Sequence, residues 1–551
     1  MVSMREFNLY DEPWLAVVGS DGAHRELSLH DALAEAGKVR SLDGEIGIQD
    51  TAVLRFMLAF LYRALEPTMD EWSDIWSAGS LPMDAIDRYV NGPLREGSWT
   101  DGSIVSVHDR LFLRSDSVPF LQVAGMESMK GDRKSPSAIM QDVRLFGMQH
   151  VGTFMTVRQE SGYRRIRPAE AARWLLSTLL YDDAAQRGAM AGDPNLAIMR
   201  GKPKSSVYPA LNPPASKSIV NVMGRSLFST LMLNLIPYDA DGGLISPKRG
   251  TPLWEKPPLD PSSAKRNPET GDPERVPIET VIDEYVFPSR KIRLFFDDDG
   301  MVDGVLVGAG LRMMPPGQDV DPMLAWRTAK TKTGEEIVPV SVGTASSMWR
   351  ALPAFTMKSG DHDMRPAVIR FADDLSVWPE YGIGADGSLD LSVSTVLYGT
   401  QYACINDIRT SSMQLPISVV RNGALSELAS ECGAMADDAV RLYSLFLKRV
   451  STAAGSLDGA APESLKTAFV GVLENDFSEW LASLSGNVDM EPLRAAWMGT
   501  LGGEAIRQAR LLADTLPAEA FAGRDNGSGA VESYGSAYDA LATVLKRKGM
   551  L

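Results

Sequence analysis

Hydrophobic positions in the first half of the chain predict two helices. From Ala52 to Leu65 the apolar residues lie nearly all round the helix, which is typical of a buried helix, and Pro67 ends it. From Ala169 to Leu180 a second helical pattern follows Pro168, and proline is tolerated at the start of a helix. Both segments are therefore predicted as helices, and the first is expected in the interior.

Strand patterns occur near the N-terminus and again near residue 300. A β-type run from Phe7 to Val18 is followed by the turn signal Ser20-Asp21-Gly22 and by a helix from about Asp31. Two later runs, Arg290 to Phe296 and Val302 to Val307, are separated by three aspartates and a glycine. This arrangement predicts a β-hairpin whose acidic residues form the turn.

Two long stretches carry little regular pattern. Residues 182–218 are rich in Gly, Pro, Ser and Ala, and residues 238–275 contain Pro-Pro and Pro-Ser steps. Both are interpreted as loops. Long loops inside a compact protein are usually either functional or disordered.

From about Ala424 the pattern changes to helices only. Apolar residues recur at three- and four-residue steps from Leu425 to Val450. Further helical stretches follow at about 462–485, 490–515 and 532–548. Four helices with short links are typical of an antiparallel four-helix bundle. We therefore predict an α+β protein with a large mixed α/β domain at 1–418, which carries long loops, and a four-helix bundle at 419–551.

The composition is that of a packed protein. Of 551 residues, 44% are hydrophobic and 23% are charged, and a chain of this length can bury a sizeable core. No segment is apolar enough to cross a bilayer, and Met1 to Trp14 lacks the apolar core of a secretory signal. Cys404 and Cys432 are too few for a disulfide framework or a four-cysteine zinc site. We expect a cytoplasmic protein with no membrane partner, Cys432 in the core and Cys404 inert.

Charge is distributed unevenly along the chain. The net charge of −16 argues against broad, nonspecific binding of nucleic acid, because phosphates attract basic surfaces. The segment from Arg200 to Pro237, however, has no Asp or Glu and carries five cations: Arg200, Lys202, Lys204, Lys217 and Arg225. Such cations can neutralise a phosphate backbone, although a solvated loop is an equal alternative. Two smaller clusters are Arg164-Arg165-Arg167 and Arg290-Lys291-Arg293.

Two short loops have compositions suited to close contact with a partner. Gly188-Ala189-Met190-Ala191-Gly192 consists mostly of small residues, which let a backbone approach closely. Gly399-Thr400-Gln401-Tyr402-Ala403 follows a strand-like run, and a Gln or Tyr at its tip can insert between bases or stack on them. On composition alone, the first is more simply a connecting loop, and the second indicates little.

Signatures of common enzymes are absent from the sequence. It contains no Walker loop, no GxGxxG after a strand, no GxSxG and no HExxH. Asp361-His362-Asp363 carries metal-binding side chains, but adjacent residues rarely converge on one ion, so a solvated loop is the simpler interpretation. A metal-dependent hydrolase that uses these three residues is kept as an alternative.

Several motifs, taken in order, resemble a known family. The opening from Phe7 to Leu15, the run from Leu27 to Leu33 and the helix from Leu54 to Leu65 are similar to the start of the large subunit of the type I-E CRISPR surveillance complex, Cascade. The similarity continues through later segments and the C-terminal helices: Arg110 to Leu113, Pro119 to Gln122, Ala169 to Asp182, and Ser218 to Pro237. It covers nearly the whole chain.

The resemblance implies a non-catalytic subunit without a cofactor. Such a subunit sits at one end of a guide-RNA ribonucleoprotein and inspects double-stranded DNA for the short protospacer-adjacent motif through the minor groove. It helps open the duplex so that the guide can pair and an R-loop can form, and a helicase–nuclease is then recruited. The implied partners are double-stranded DNA, the other ribonucleoprotein subunits and the helicase–nuclease. A scaffold that never touches DNA remains an alternative.

The residues that read the motif in this family map unevenly onto the sequence. Its glycine loop falls on Gly188 to Gly192, and its wedge falls on Gln401 or Tyr402, followed by Ala403. For its hairpin lysine the nearest cation by position is Arg312. Lys330 and Lys332 are the alternatives for that role.

Two further features of the family are carried over. A loop that docks the subunit onto the ribonucleoprotein falls on residues 145–165, with Phe146, Met148 and Phe154 as its apolar side chains. Some members have a cysteine cluster that resembles a zinc site. This chain lacks such a cluster, so no metal is expected.

Overall fold

The structure is a computed structural model that describes most of the chain. The described residues are 5–142, 164–199, 201–206, 211–238, 248, 250–267, 269–318, 320–331, 334–340, 347–356, 358–359, 362–383, 387–455, 462–484, 489–525 and 529–551. The chain divides into two compact units. The first comprises Met1–Ser341, Pro366–Ala372 and Ser392–Ser411, and the second comprises Val342–Arg365, Asp373–Leu391 and Ser412–Leu551.

Helices and strands alternate irregularly along the chain before the C-terminal helices begin. The helices are α1 (Leu29–Ala34), α2 (Gly47–Leu65), α3 (Met69–Ala78), α4 (Met83–Asn91), α5 (Pro168–Tyr181), α6 (Leu227–Asn234), α7 (Val281–Tyr285), α8 (Leu352–Thr356), α9 (Ala367–Leu375) and α10 (Ile417–Arg421). The strands are β1 (Arg5–Asn8), β2 (Leu15–Gly19), β3 (His24–Leu27), β4 (Val39–Leu42), β5 (Phe112–Ser115), β6 (Leu196–Met199), β7 (Lys202–Ser206), β8 (Ile219–Met223), β9 (Arg275–Val276), β10 (Arg290–Phe296), β11 (Val302–Ala309), β12 (Arg312–Met313), β13 (Trp326–Thr331), β14 (Gly334–Pro339), β15 (Lys358–Ser359), β16 (His362–Asp363), β17 (Ser388–Tyr398) and β18 (Ile405–Pro416).

Helix α2 is the buried helix that the sequence predicts. Fifteen of its nineteen residues are buried, and the chain leaves the helix through Glu66 in a left-handed conformation just before Pro67. Phe56 packs edge-on against Phe120 and Trp254, with ring centroids 5.4 and 5.7 Å apart. Such aromatic pairs add to the burial of apolar area, which explains why α2 is the centre of the first unit.

One charged side chain lies inside this apolar helix. The guanidinium of Arg55 is fully buried, 3.2 Å from Asp321 and 3.3 Å from Glu284, and it lies over the ring of Tyr285. Burial raises the pKa of Glu284 well above its ordinary value. The group follows the rule that a buried charge is paired, because an isolated one would cost far more than it stabilises.

Helix α5 packs against α2 and begins as predicted. Pro168 occupies its first turn, where the missing N–H leaves no hydrogen bond unmade. Twelve of its fourteen residues are buried. The helix ends at Tyr181, and its C-cap residue Asp182 begins the segment that leads to the glycine loop.

The strands form small sheets of two or three strands. The three-stranded sheets have the orders β3-β2-β4 and β18-β17-β8. Most two-stranded sheets are antiparallel, whereas β9 and β12 pair in parallel. The predicted hairpin is confirmed as β10 and β11, in antiparallel register from Arg290 opposite Ala309 to Phe296 opposite Val302. Its turn is closed by the Asp297 carboxylate, which accepts from the amides of Asp299 and Met301 at 3.0 Å.

The loop prediction for residues 182–218 was wrong in part. The segment contains the hairpin of β6 and β7, the 3-10 turn Pro213–Ser216 and, at its end, the approach to β8. Proline at position 203 and the short turn between the strands hide the alternation that identifies strands from sequence. Two of the five predicted cations, Lys202 and Lys204, lie on β7 of this hairpin.

The second unit is dominated by helices. They are α11 (Gly423–Ala453), α12 (Glu463–Ala482), α13 (Met490–Ala513), α14 (Ala518–Ala522) and α15 (Tyr534–Arg547), with a short hairpin of β19 (Arg524–Asp525) and β20 (Val531–Glu532). The four long helices pack together around α11. Trp497 packs against Trp480 and Phe477, and its indole donates to the carbonyl of Cys432 at 2.8 Å. A helical bundle at the C-terminus is therefore confirmed.

The second unit is larger than the predicted bundle. Val342–Arg365 and Asp373–Leu391 belong to it, although the sequence places both in the first domain. Trp349 shows why: its indole donates to Asp437 at 2.9 Å, and its ring meets Phe477 at 6.0 Å. Such contacts between distant residues leave no periodic signal. Within the described ranges, no helix is both long and apolar enough to span a membrane.

Candidate nucleic-acid interface

The glycine loop, defined here as residues 188–192, is anchored by its own central residues. Ala189 and Met190 are 2% and 5% exposed, and Met190 packs in an apolar cluster with Val123, Met126 and Leu306. Gly188 and Gly192 are exposed, and Ala191 is half-buried. The side chains of Ala189 and Met190 therefore cannot contact a binding partner in this conformation. Gly188, Ala191 and Gly192 are the residues of the loop that a partner can reach.

Backbone hydrogen bonds fix the position of the glycine loop. The amide of Met129 donates to the carbonyl of Ala189, and the amide of Ala191 donates to the carbonyl of Glu127, both at 2.9 Å. Gly192 has a φ of +77°, and a Cβ there would lie 3.3 Å from Pro261. Glycine therefore suits this position both for its left-handed backbone and for the close approach.

The second loop forms the tip of the hairpin made by β17 and β18, and we call it the hairpin tip (residues 399–404). Gln401 and Tyr402 both have left-handed backbones, with φ of 56° and 57°. Non-glycine residues in this region cost roughly 1–3 kcal/mol each and persist only where the surroundings fix them. Gln401, Tyr402 and Ala403 are all exposed, Tyr402 by 51%.

The hairpin tip contacts the segment that leads into the glycine loop. The amide of Ala184 donates to the carbonyl of Tyr402 at 2.7 Å, and the hydroxyl of Tyr398 donates to the carbonyl of Tyr181 at 2.8 Å. The rings of Tyr398 and Tyr402 meet edge-on, with centroids 6.1 Å apart. Two loops more than two hundred residues apart in sequence are therefore held together at one place in the first unit.

Two arginines, Arg187 and Arg290, form ion pairs with the segment that joins α5 to the glycine loop, and we call them the paired arginines. Arg290 is 2% exposed, its Nε donates to the Asp182 carboxylate at 2.5 Å, and its guanidinium also donates to the carbonyl of Asp183. Arg187 contacts the same Asp182 carboxylate and reaches the Asp183 carboxylate at 3.0 Å. Burial lowers the pKa of Arg290. The prediction that Arg290 contacts the DNA backbone was therefore wrong, because its charge is already compensated inside the protein.

Lys291 is corrected for the same reason. It is 2% exposed, and its Nζ donates to the carbonyl of Pro261, the residue that packs against Gly192. Burial lowers the pKa of the Lys291 ammonium. Lys291 therefore supports the glycine loop from inside and is not available to a phosphate.

Acidic side chains also compensate part of the positive charge of the small cluster at residues 164–167. Arg165 pairs with Asp297 and Asp299 in the β10–β11 turn. Arg167 contacts the Glu26 carboxylate at 2.6 and 2.8 Å. These acids are remote in sequence, so the cluster looks more basic in the sequence than it is in the structure.

In the larger basic patch, from Arg200 to Arg225, the cations whose side chains are described are at least partly accessible. Arg225 is exposed, and Lys217 is half-buried. Burial lowers the pKa of Lys217, and the nearby positive charge of Arg327 lowers it further. Sequence analysis missed Arg327, which lies on β13 next to the bridge between Ile219 and Leu324. Lys202 and Lys204 lie on β7 with side chains outside the description, and Arg200 lies outside the described residues.

The three candidates for the hairpin cation lie in different surroundings. Arg312 is half-buried on β12 and lines a cavity together with Asn195, which is three residues beyond Gly192. Lys330 is exposed on β13, opposite Glu335 of β14. Lys332 lies outside the described residues, as do the docking-loop residues Phe146, Met148 and Phe154. Of the candidates, Arg312 is the one whose cavity adjoins the end of the glycine loop.

The residues of the hydrolase alternative show no metal-binding geometry in the part of the chain that is described. Asp363 is engaged by Arg365, whose Nη2 contacts its carboxylate at 2.6 Å, and Arg365 also contacts Asp373 at 3.2 Å. Asp361 and the side chain of His362 lie outside the description. No group of three or more His, Cys, Asp or Glu that could hold a metal ion occurs among the described residues.

The cysteines differ in their surroundings. Cys432 is buried on α11, as predicted, and burial raises the pKa of its thiol to about 12. A thiol with so high a pKa carries almost no thiolate at neutral pH and is a poor nucleophile. Cys404 is half-buried in the hairpin tip, where its Sγ lies 3.4 Å from the Asn406 side-chain oxygen.

Comparison with known proteins identifies the fold and the family. The model of the family described as CRISPR-associated protein Cse1 matches residues 8–508. The CRISPR-associated protein CasA/Cse1 of Thermus thermophilus is 26% identical over 434 residues, which are 78% of this chain and 74% of that protein. The crystal structure of Thermobifida fusca Cse1 matches with a TM-score of 0.77 at 26% identity and covers 98% of each chain. A chain from a CRISPR RNA-guided surveillance complex shares the fold, with a TM-score of 0.66 at 17% identity, over 98% of this chain and 100% of that one.

These matches agree with the architecture described above, a mixed α/β unit and a second unit of long helices. The family model covers well over half of the chain, and structural similarity extends over nearly its whole length. The chain belongs to the CRISPR-associated Cse1 family, which confirms the resemblance found in the sequence.

Proposed function

We propose that this chain is the non-catalytic large subunit of a guide-RNA CRISPR surveillance complex in the cytoplasm. In this role it recognises the protospacer-adjacent motif of double-stranded DNA through the minor groove and helps to open the duplex. Membership of the Cse1 family supports the assignment. The shared fold of a chain from an RNA-guided surveillance complex is consistent with it.

The observation that carries the proposal is the hydrogen bond from Ala184 to the carbonyl of Tyr402. It joins the segment before the glycine loop to the hairpin tip. The backbone of the glycine loop, which can approach a DNA groove, and the side chains of the tip, which can insert between base pairs, therefore lie at the same edge of the first unit. Minor-groove readout distinguishes few base patterns and depends on close approach. An edge made of Gly188, Ala191 and Gly192 beside an exposed tip meets that requirement.

Gln401 suits the wedge better than Tyr402. Tyr402 is tied down through its carbonyl and through the contact of its ring with Tyr398, whereas Gln401 presents an exposed side chain at the tip. Inserting a side chain between bases costs a few kcal/mol of unstacking per step. A tip already fixed in its left-handed conformation adds no ordering cost at insertion, and this holds for Gln401 and Tyr402 alike.

Retained cations explain how an acidic protein holds DNA. Lys217, Arg225 and Arg327 offer positive charge on the first unit, and Lys202 and Lys204 on β7 extend the same basic stretch of sequence. Phosphate contacts supply sequence-independent affinity, so they position the duplex while the loops inspect it. The remaining negative charge of the chain discourages binding elsewhere on its surface.

Duplex opening gives the sharpest test. In the assembled ribonucleoprotein, Gln401→Ala is expected to slow R-loop formation on a closed, motif-bearing duplex at least about tenfold, which corresponds to roughly 1.4 kcal/mol. On a duplex that carries a mismatched bubble beside the motif, the variant is expected to match the native complex. Gln508→Ala, a glutamine on α13 in the second unit, is the control and should leave both rates unchanged.

Each alternative predicts a different outcome of this test. If Tyr402→Ala slows opening and Gln401→Ala does not, the wedge is Tyr402. If neither variant changes the rate on closed duplex, the opening role is contradicted and the scaffold alternative gains support. A hydrolase would instead lose an activity on His362→Ala, which the proposed function leaves without effect.

Two partner contacts form part of the proposal. The segment with Phe146, Met148 and Phe154 docks the subunit onto the ribonucleoprotein, and the assembled complex recruits a helicase–nuclease. Replacing Phe146 and Phe154 by alanine should release the subunit from the ribonucleoprotein during size-exclusion chromatography while the free chain keeps its thermal midpoint. Co-elution of this double variant with the guide RNA would contradict the docking assignment.

A further inference from the structure

A turn at residues 128–131 is paired with the glycine loop, and we call it the partner turn. Ser128 forms an antiparallel bridge with Met190 of the loop. The amide of Gly131 closes the turn by donating to the carbonyl of Ser128 at 3.0 Å, and the amide of Lys130 donates to the Ser128 hydroxyl at 3.2 Å. The backbone of Lys130 is therefore held at a fixed place beside the glycine loop.

The partner turn and the glycine loop line the same cavity, which has a volume of about 450 Å³. Lys130, Asp132 and Lys134 line it from one side, and Gly188 lines it from the loop. All four residues are exposed, so the cavity is open to solvent. A ligand that reaches the exposed end of the glycine loop therefore comes close to Lys130 as well.

The other charged side chains that line this cavity are engaged within the protein. Asp132 accepts from the hydroxyl of Ser128 at 2.8 Å and lies 3.3 Å from the ammonium of Lys134. Arg187 is one of the paired arginines and contacts two carboxylates. No acidic side chain in the described ranges forms an ion pair with Lys130. Among the described lining residues, Lys130 is therefore the cation whose charge is left for a ligand.

A lysine in this position matches the chemistry of a DNA backbone. Its ammonium is a compact positive charge whose N–H groups donate, and a phosphodiester offers negatively charged oxygens that accept. The minor groove is only about 6 Å wide, so a protein backbone that enters it lies close to the phosphates on both sides. Because the partner turn is bridged to the glycine loop, Lys130 would lie next to one of these phosphates.

We propose that Lys130 binds a phosphate of the DNA strand that borders the groove inspected by the glycine loop. The inference rests on the proposed function and adds a backbone contact to it. Such a contact carries no sequence information and sets the register of the duplex against the loop. Sequence analysis missed Lys130 because residues 127–134 carry three cations and two acids, which is no basic run.

The test uses the assembled ribonucleoprotein and a motif-bearing duplex. Lys130→Gln is expected to weaken DNA binding about fivefold at low salt, and the slope of log K against log salt should become less steep by roughly 1. The loss should be equal for duplexes with favourable and unfavourable motifs. Lys130→Arg keeps the charge and should restore both affinity and slope. Lys38→Gln removes an exposed lysine of the first unit outside this cavity and should leave both unchanged.

A duplex scanned with single neutral methylphosphonates locates the contact. At the phosphate that Lys130 binds, neutralisation should weaken the native complex and leave the Lys130→Gln complex unaffected. Identical profiles for the two complexes, or a loss confined to one motif, would overturn the assignment. Either result would leave the Gln401 experiment standing. If the Gln401 and Tyr402 variants also behave as the native complex does, the failure lies in the proposed function.

Discussion

The paired arginines, Arg187 and Arg290, contrast with Arg275 and Arg312, which line a cavity of the first unit that Arg290 also lines. Arg187 and Arg290 share the Asp182 carboxylate, and the second of them is buried. Arg275 and Arg312 face each other across two short strands in a cavity with a single acidic lining residue. The charges of the first group are compensated inside the protein, whereas Arg275 of the second group is exposed.

The difference teaches that the acids around a cation decide its role. Arg290 and Lys291 belong to the most basic short run near residue 290, yet both are buried. Arg275 stands beside Glu274 in an ordinary mixed-charge stretch, yet its side chain lines a cavity. Clustering of cations in the sequence is therefore a poor guide to which cations are accessible in the folded chain.

The largest expected effect distinguishes the two groups by stability. Arg290→Ala removes an ion-pair partner of the buried Asp182 carboxylate, and breaking a buried ion pair costs about 3–5 kcal/mol. We expect a marked fall in the midpoint of thermal unfolding of the full chain. Arg275→Ala, the matched control, is exposed and should change stability by no more than about 0.5 kcal/mol. An equal fall in the unfolding midpoint for both variants would contradict the difference between the buried Arg290 and the exposed Arg275.

A smaller effect is expected at the hairpin tip, which meets the segment held by the paired arginines. In Gly399→Ala the new Cβ would lie 2.5 Å from the Cys404 Sγ, so the tip must shift at a cost on the order of 1–3 kcal/mol. The hydrogen bond from Ala184 to Tyr402 should weaken, and deuterium exchange of the 182–187 segment should speed up. Gly471→Ala, on α12 with nothing within 4 Å of the added Cβ, should stabilise its helix slightly. Unchanged exchange in Gly399→Ala would show that the tip does not hold the segment.

The smallest effect concerns Lys217 in the basic patch. Burial and Arg327 lower its pKa, so in the folded chain it loses its proton at a lower pH than in the unfolded chain. Between those two pKa values the unfolded chain binds more protons, and stability therefore rises with pH across that window. Arg327→Gln should raise the pKa of Lys217 and so narrow the pH range over which stability rises with pH. Carbon-13 NMR of reductively methylated lysines measures this titration, and an unchanged Lys217 curve would show that Arg327 does not act on it.

The pattern of apolar and polar residues was enough to predict the helices and hairpins whose residues are close in sequence. Helices α2 and α5, the β10–β11 hairpin and the long C-terminal helices each follow from local periodicity and from prolines or turn residues at their ends. The β6–β7 hairpin escaped because Pro203 interrupts its pattern. The segments 342–365 and 373–391 were assigned to the wrong unit because contacts such as Trp349 with Asp437 join residues far apart in sequence.

The two loops of the candidate site were selected through the family resemblance, since their composition alone indicated little. The charges around them were not predictable from the sequence. No sequence signal places Asp182 against Arg290, or Arg275 opposite Arg312, since each pair forms only after folding. Arg275 had no distinguishing signal, because residues 265–275 carry three cations and three acids.

The link between Ala184 and Tyr402 is made entirely by main-chain atoms. Its geometry therefore does not depend on which side chains stand at positions 401 and 402, provided that they tolerate a left-handed backbone. Natural diversification can thus exchange the inserted residue while the tip keeps its place beside the loop. If the proposed function holds, a library of substitutions at position 401, selected on duplexes with altered motifs, should yield complexes with altered motif preference.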